Sequence, residues 1–266
     1  MAEEVQTYKV FFDKEKLEKD SVRLTRTIYD SGYSPDTILG IWRGGTFVAT
    51  YVTGGLKRLG VRHRHFSATG KSYNPGVGDQ SSVITIYNME ELMKYMRQIR
   101  AKRVCGVDDV LDSFITADAF INIIQNGVSR RGAFLAHQQD GETLTDIDVA
   151  DAMKMDSDAF VLYDFKMPVN GGHYTLRIPL VDDVRPLDAE VKFAAPYWKP
   201  HANKTSRRPD FVVEPVNIEN GKWPWINFPY ELEADDITDA EMLEHHPDLA
   251  KILFEDAKEK TAAASS

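Results

Sequence analysis

Two stretches of this chain follow one pattern: a short apolar run, a turn of small or polar residues, then a helix. The first is TILGIW at Thr37 to Trp42, followed by Arg43-Gly44-Gly45 and a helical segment from Thr46 to Leu59. The second climbs from Arg103 to Val107, breaks at Asp108-Asp109 and passes Asp112. It then enters Thr116 to Gln125, where Ala119, Phe120, Ile123 and Ile124 share one helical face. Strands that are apolar throughout have no solvent face and belong inside a sheet covered on both sides. Strand-then-helix repetition means an open, mostly parallel sheet with helices on both faces. Ligands in such sheets gather at the carboxyl ends of the strands, where both turns fall.

The rest of the first half extends this α/β alternation. Lys14 to Tyr33 carries Leu17, Val22, Leu24 and Ile28 at helical spacing and is ended by Gly32 and Pro35. Val61 to Ser67 reads as a strand, and Ala68 to Ser82 as a long loop of lid length. Val83 to Tyr87 is a further strand. Asn88 then caps a helix with Glu90 and Glu91 in its first turn and Arg97, Arg100 and Lys102 toward its end, as the helix dipole prefers. The second half is less regular. Strands are expected at Gly132 to His137, Ala159 to Asp164 and Lys192 to Tyr197, and an acidic helical stretch at Gly141 to Asp158. Gly171-Gly172 signals a hairpin, Asn203 to Pro209 a basic loop, and Asp239 to Lys258 a C-terminal helix.

Composition narrows the classes. A chain of 266 residues, 42% hydrophobic and 27% charged, suits a soluble globule. One domain over residues 1–260 is expected, with 261–266 a disordered tail. The formal net charge of −9 argues against duplex nucleic acid, despite a local basic patch at Lys204, Arg207 and Arg208. No basic-then-apolar segment opens the chain and no apolar run is long enough to span a membrane, so a cytoplasmic protein is expected. The single cysteine, Cys105, sits among apolar neighbours and reads as a core residue. His63 and His65 alternate on one strand and could be metal ligands, but a polar strand face explains them better. His245-His246 fall before Pro247, at a surface bend.

The chemistry concentrates at VDDVLDSFIT. Adjacent carboxylates at a strand end can accept hydrogen bonds from vicinal hydroxyls, as on a ribose, or hold Mg²⁺ through water. Ser113 and Thr116, where a helix opens, offer hydroxyls and backbone N–H groups to a phosphate. A solvated acidic turn that only caps a helix explains these residues equally well on their own. Gly44-Gly45 would let a ligand approach the backbone while Arg43 supplies charge, although simple turn geometry also accounts for the glycines.

Order and spacing add a resemblance. PDTILGIWRGGTFVA, VCGVDDVLDSFITADA and KFAAPYWKP followed by PDF and WINFPYE resemble, in that order, three segments of the purine-salvage phosphoribosyltransferases. These are the first strand with its pyrophosphate loop, the signature for phosphoribosyl pyrophosphate (PRPP), and the C-terminal base-binding segment of the xanthine–guanine and hypoxanthine enzymes. The resemblance implies the type I phosphoribosyltransferase fold. It implies transfer of ribose-5-phosphate from PRPP to a 6-oxopurine, release of pyrophosphate, and Mg²⁺ as cofactor. Asp108 and Asp109 would bind the ribose hydroxyls beside Mg²⁺, and Asp112 would handle the proton at the base's ring nitrogen. Ser113 through Thr116 would cradle the 5′-phosphate. Arg43 and Gly44 would meet the pyrophosphate, on a backbone that in this family often carries a non-proline cis peptide. Ser72 and Tyr73 would lie in the closing loop. Lys199 would donate to the oxygen at purine position 6, Trp225 would stack on the base, and Ile226 and Asn227 would read its edge. A homo-oligomer, dimer or tetramer, is implied as well.

The chain departs from the family's pattern at two places. Phe114, then Ile115, stands where the phosphate loop usually has glycine. The stretch from the PRPP motif to Lys199 is also too long, so a β-rich insertion is expected at about residues 135–188. Within it, LVDDVRP repeats the double acid without a phosphate loop and reads as a strand end. Phe114 favours a rival to the enzyme: a weak or inactive member of the fold that senses PRPP or a nucleotide as a regulator.

Overall fold

The computed structural model describes residues 7–73, 80–128, 160–166, 173–179, 183–233 and 236–254. They fall into two compact units. Among the described residues, the larger takes those within 18–73 and 80–217, and the smaller those within 7–17 and 218–254.

The larger unit is built on one sheet. Its strands are β2 (Thr37–Trp42), β3 (Arg64–Tyr73), β4 (Gln80–Tyr87), β5 (Arg103–Val107), β6 (Val110–Leu111), β7 (Phe160–Lys166), β8 (His173–Pro179), β9 (Glu190–Trp198) and β10 (Phe211–Pro215). Their order is β10-β9-β5-β2-β3-β4-β8-β7, with β6 paired to β9. From β10 to β3 all neighbours run parallel; β3–β4 and β7–β8 are antiparallel. The expected mostly parallel α/β sheet is therefore the fold. The apolar runs at Thr37 and Arg103 lie side by side at its centre, in the register Ile38↔Cys105.

Alternation along β2 sorts the helices to the two faces. Leu39 and Ile41 enter the core formed with Met89, Leu92, Met93 and Met96 of α3 (Met89–Gln98) and with Phe120, Ile123 and Ile124 of α4 (Ile115–Asn126). Gly40, on the opposite face, lies so close to α2 (Gly44–Arg58) that a Cβ there would sit 2.9 Å from that of Ala49. Leu24 and Ile28 of α1 (Lys14–Asp30) are fully buried. Cys105 is buried in β5, as expected of a core thiol, and burial raises its pKa.

Three expectations are corrected. Ala68 to Ser82 is not one long loop: β3 runs on to Tyr73 and β4 begins at Gln80, pairing Thr69↔Tyr87 and Tyr73↔Gln80. The β-branched run on β4 finds a partner strand, which outweighs the loop-forming residues around it. Asn88 does precede α3, but in the left-handed conformation (φ 61°) and without a side-chain cap. The C-terminal helix breaks at His246, because Pro247 has no N–H and disfavours a helical residue before it. The strand expected at Gly132 to His137, the acidic stretch at Gly141 to Asp158, the Gly171-Gly172 turn and the tail lie outside the described residues.

The smaller unit pairs β1 (Thr7–Phe11) in parallel with β11 (Trp223–Asn227), in the register Lys9↔Trp225 and Val10↔Ile226. Helix α5 (Asp239–His245) follows, and residues 247–254 are helical again. Ile237, Met242 and Ala250 form a small core with Phe11 and Phe254. Among the described residues no helix is long and apolar enough to cross a membrane.

Candidate functional site

The carboxyl ends of β2 and β5 open onto the first turns of α2 and α4. At α2 the approach is close. A Cβ on Gly45 would overlap the carbonyl oxygen of Val107 and stand 2.8 Å from the Cα and 2.9 Å from Oδ1 of Asp108. The helix can start against β5 only because this residue has no side chain. Turn geometry alone therefore does not account for Gly45. Arg43 is the N-cap, and its carbonyl accepts from the Thr46 hydroxyl at 2.7 Å. The Trp42–Arg43 peptide is cis.

Asp108 and Asp109 follow β5 directly and are half-buried. Oδ1 of Asp108 accepts from the Asp109 amide at 3.0 Å, and Oδ1 of Asp109 from the Val110 amide at 2.7 Å. Burial, and then the neighbouring Asp109, push the Asp108 carboxyl well above the usual carboxylate range. A carboxyl so placed gains from a nearby cation or hydrogen-bond donor. Among the described residues no cluster of three or more His, Cys, Asp or Glu could hold a metal. Two adjacent carboxylates without a third protein ligand fit Mg²⁺, which keeps several waters and takes the rest of its shell from phosphate oxygens. They do not fit a closed structural zinc site.

Asp112 and Lys199 meet 87 residues apart in sequence. Nζ lies 2.9 Å from Oδ2, with side-chain exposures of 6% for Lys199 and 17% for Asp112. Lys199 is therefore no solvated surface lysine. Short strand β6 makes the meeting possible: it pairs Val110↔Tyr197 and Leu111↔Trp198, and the Lys199 amide donates to the Leu111 carbonyl at 3.0 Å. His201 is half-buried near both charges; burial lowers its pKa, and Asp112 partly offsets this.

Phe114, the residue that departs from the glycine pattern, has φ 64° and ψ 0°. This is the left-handed region glycine favours, costing roughly 1–2 kcal/mol for a residue with a side chain. The backbone thus keeps the glycine-like turn. The ring is buried in the core, edge-on to Phe193 with centroids 6.2 Å apart. Ser113 is buried, and its hydroxyl receives the Ile115 amide at 3.5 Å. Thr116 lies in the first turn of α4. There β3 crosses closely enough that a Cβ on Gly70 would sit 2.7 Å from Thr116 Cγ2.

The larger unit thus brings together Asp108, Asp109, Asp112, Ser113, Thr116, Lys199 and the Arg43-Gly44 turn. Ser72 and Tyr73 end β3, and their side chains lie outside the described residues. Trp225 and Ile226 belong to the smaller unit: Ile226 is buried in β11, and Trp225 stands on the alternate face, half-buried. His63 lies just before β3 and bonds the Val61 carbonyl through Nδ1, so the two histidines do not pair on one strand. The Asn203-to-Arg207 loop packed on α4 was missed from sequence, where it reads only as polar and basic.

No known family profile matches the chain, and no curated protein sequence does. Solved structures do. A purine phosphoribosyltransferase from Pyrococcus horikoshii is 21% identical over 85% of this chain and 95% of its own, with a TM-score of 0.42. A Helicobacter pylori xanthine-guanine-hypoxanthine phosphoribosyltransferase is 14% identical over 90% of this chain and all of its own (100%), with a TM-score of 0.45. A hypothetical protein from Neisseria gonorrhoeae with bound ppGpp is 17% identical over 94% of this chain and 98% of its own, with a TM-score of 0.49.

Proposed function

We propose that this chain is a Mg²⁺-dependent phosphoribosyltransferase of purine salvage, moving ribose-5-phosphate from PRPP to a 6-oxopurine in the cytoplasm. The observation that carries the reading is the buried Asp112–Lys199 pair, set at the same strand ends as the Asp108-Asp109 carboxyls and the uncapped start of α4. A 6-oxopurine presents an oxygen and a ring N–H side by side. An ammonium beside a carboxylate matches that edge, Lys199 donating to the oxygen and Asp112 accepting the ring proton. Asp108 and Asp109 accept from the ribose hydroxyls. The amides of the turn from Ser113 to Thr116 and the positive end of α4 hold the 5′-phosphate.

Breaking the bond at the anomeric carbon builds positive charge on the sugar and negative charge on the departing pyrophosphate. Arg43 and the amides at the start of α2 face the second of these charges. Mg²⁺, held by Asp108 and Asp109, would add charge compensation on the phosphate oxygens. Ser72 and Tyr73 end β3, the strand whose Gly70 approaches Thr116 at the phosphate turn. Residues 135–188 are an insertion, with the antiparallel pair β7–β8 prolonging the sheet beyond β4.

The regulator reading drew its support from Phe114. That support weakens, because the ring is buried and the backbone keeps the glycine-like turn. The test is pyrophosphate release with PRPP, Mg²⁺ and each of hypoxanthine, guanine and xanthine. Turnover is expected on at least one base. Asp112→Asn should lower kcat by about 10²-fold or more, the scale of a lost proton acceptor. PRPP binding without turnover on any base would replace the enzyme with the regulator.

A further inference from the structure

Phe114 raises a question that the proposed chemistry leaves open. A bulky residue in the left-handed region persists only where its surroundings over-determine it. Its ring is held by the core, but the backbone of the turn needs a hold of its own. The segment after Lys199 supplies one. It runs beside the turn in the same direction, joined at successive points. The Lys199 amide donates to the Leu111 carbonyl at 3.0 Å, and the Lys204 amide to the Ser113 carbonyl at 2.9 Å. Arg207 Nε closes the far end on Asp118 Oδ1 at 2.7 Å, in the first turn of α4.

The segment is itself braced. Asn203 Oδ1 accepts from the Thr205 amide at 3.0 Å, while its Nδ2 donates to the Arg207 carbonyl at 2.8 Å. The Thr205 hydroxyl, buried, accepts from the Arg207 amide at 3.2 Å. A loop that only crossed the surface would not need a buried threonine and an asparagine spent on its own backbone.

We infer that residues 199–207 form a strap that sets the position of the 113–117 turn and ties it to Lys199, with Arg207 and Asp118 as positioning residues. On the reading above, which this inference extends, the group held by that turn is the substrate's 5′-phosphate. Neither Arg207 nor Asp118 touches the substrate; they act through the backbone of the turn. Because Lys199 begins the strap, filling the phosphate turn also fixes the ammonium that meets the base, so bound PRPP tightens the base and the base tightens PRPP by the same factor.

The test uses the full chain with Arg207→Ala, Asp118→Asn, the double variant and Arg207→Lys. With a wild type that turns over, the single variants should raise KM for PRPP about tenfold while kcat stays within about twofold. The double variant should be no worse than either single one, since they share one interaction. Arg207→Lys should recover part of the loss. Unchanged KM for PRPP in both single variants, or equal losses in kcat, would overturn the inference. Deuterium exchange at the 113–117 amides provides a readout that needs no substrate. If the wild type neither binds PRPP nor releases pyrophosphate, the functional reading falls, and exchange decides the strap alone. Faster exchange in Arg207→Ala, reversed in Arg207→Lys, upholds it; unchanged protection overturns it.

Discussion

Helices α4 and α5 enter their units in opposite ways. Helix α5 has a full capping box: Thr238 Oγ1 accepts from the Glu241 amide, and the Glu241 carboxylate accepts from the Thr238 amide. Lys9 binds that carboxylate from β1 at 2.8 Å. Helix α4 has no side-chain cap and starts from a buried phenylalanine in a glycine conformation. Cap signals are written for helices whose first amides are satisfied by their own chain. On the proposed function, in which the turn before α4 holds a phosphate, that helix has to be started by something other than a cap of its own, here ring burial and the 199–207 strap. The lack of a cap is not by itself the mark of a site, since α3 also begins without one. At α4 it coincides with the acidic pair, the buried Lys199 and the crossing of β3.

The largest effect expected from this contrast is at Phe114. Phe114→Ala should cost about 3–5 kcal/mol, the scale of an emptied aromatic site, measured by urea denaturation. Phe114→Gly empties the same space but relieves the left-handed backbone, so it should be the more stable of the two by roughly 1 kcal/mol. In an ordinary helix the order is reversed, because glycine is the poorer residue. If Phe114→Ala proves the more stable variant, the turn is not held left-handed and the contrast with α5 fails.

Gly45 tests the other site helix. The atoms that its Cβ would strike, Val107 O and Asp108 Cα, are backbone and cannot swing aside. Gly45→Ala should cost roughly 1–3 kcal/mol by overpacking, and should weaken PRPP binding because Asp108 is displaced. Gly54, whose Cβ would meet nothing within 4 Å, is the control: Gly54→Ala should be neutral or stabilising. Binding that survives Gly45→Ala would mean that the acids do not depend on the packing of α2 against β5.

What the sequence made legible follows the same division. The paired central strands, the acidic turn and the helices that cover them could be read because burial writes itself as apolar periodicity. Lys199 was placed by a motif alone, since nothing local to it tells that β6 will pair with β9 and bury its ammonium against Asp112. Phe114 was read as an obstacle, because a residue type does not reveal which way its ring leaves the backbone. Strand β1 and its pairing with β11 went unread, since a parallel pair between residues 216 positions apart, as Thr7 and Trp223 are, leaves no local trace.

The smallest effect lies at α5, where the cap should behave as the rules for ordinary helices require. Thr238→Ala should cost about 1 kcal/mol. The hydrogen bond from Lys9, then that from the Thr238 amide, hold the Glu241 carboxyl down to about 2 from its ordinary 4.5. A carboxyl lowered on folding contributes stability that is complete above its unfolded pKa and is lost as pH falls through the folded one. The α5 contribution should therefore be whole above about 4.5 and fade toward about 2. Glu241→Gln should flatten that part of the profile. Thermal melts of the two proteins across this window check it. A profile equally steep in Glu241→Gln would assign the acid sensitivity to other carboxyls and leave α5's cap a geometric feature of little energetic weight.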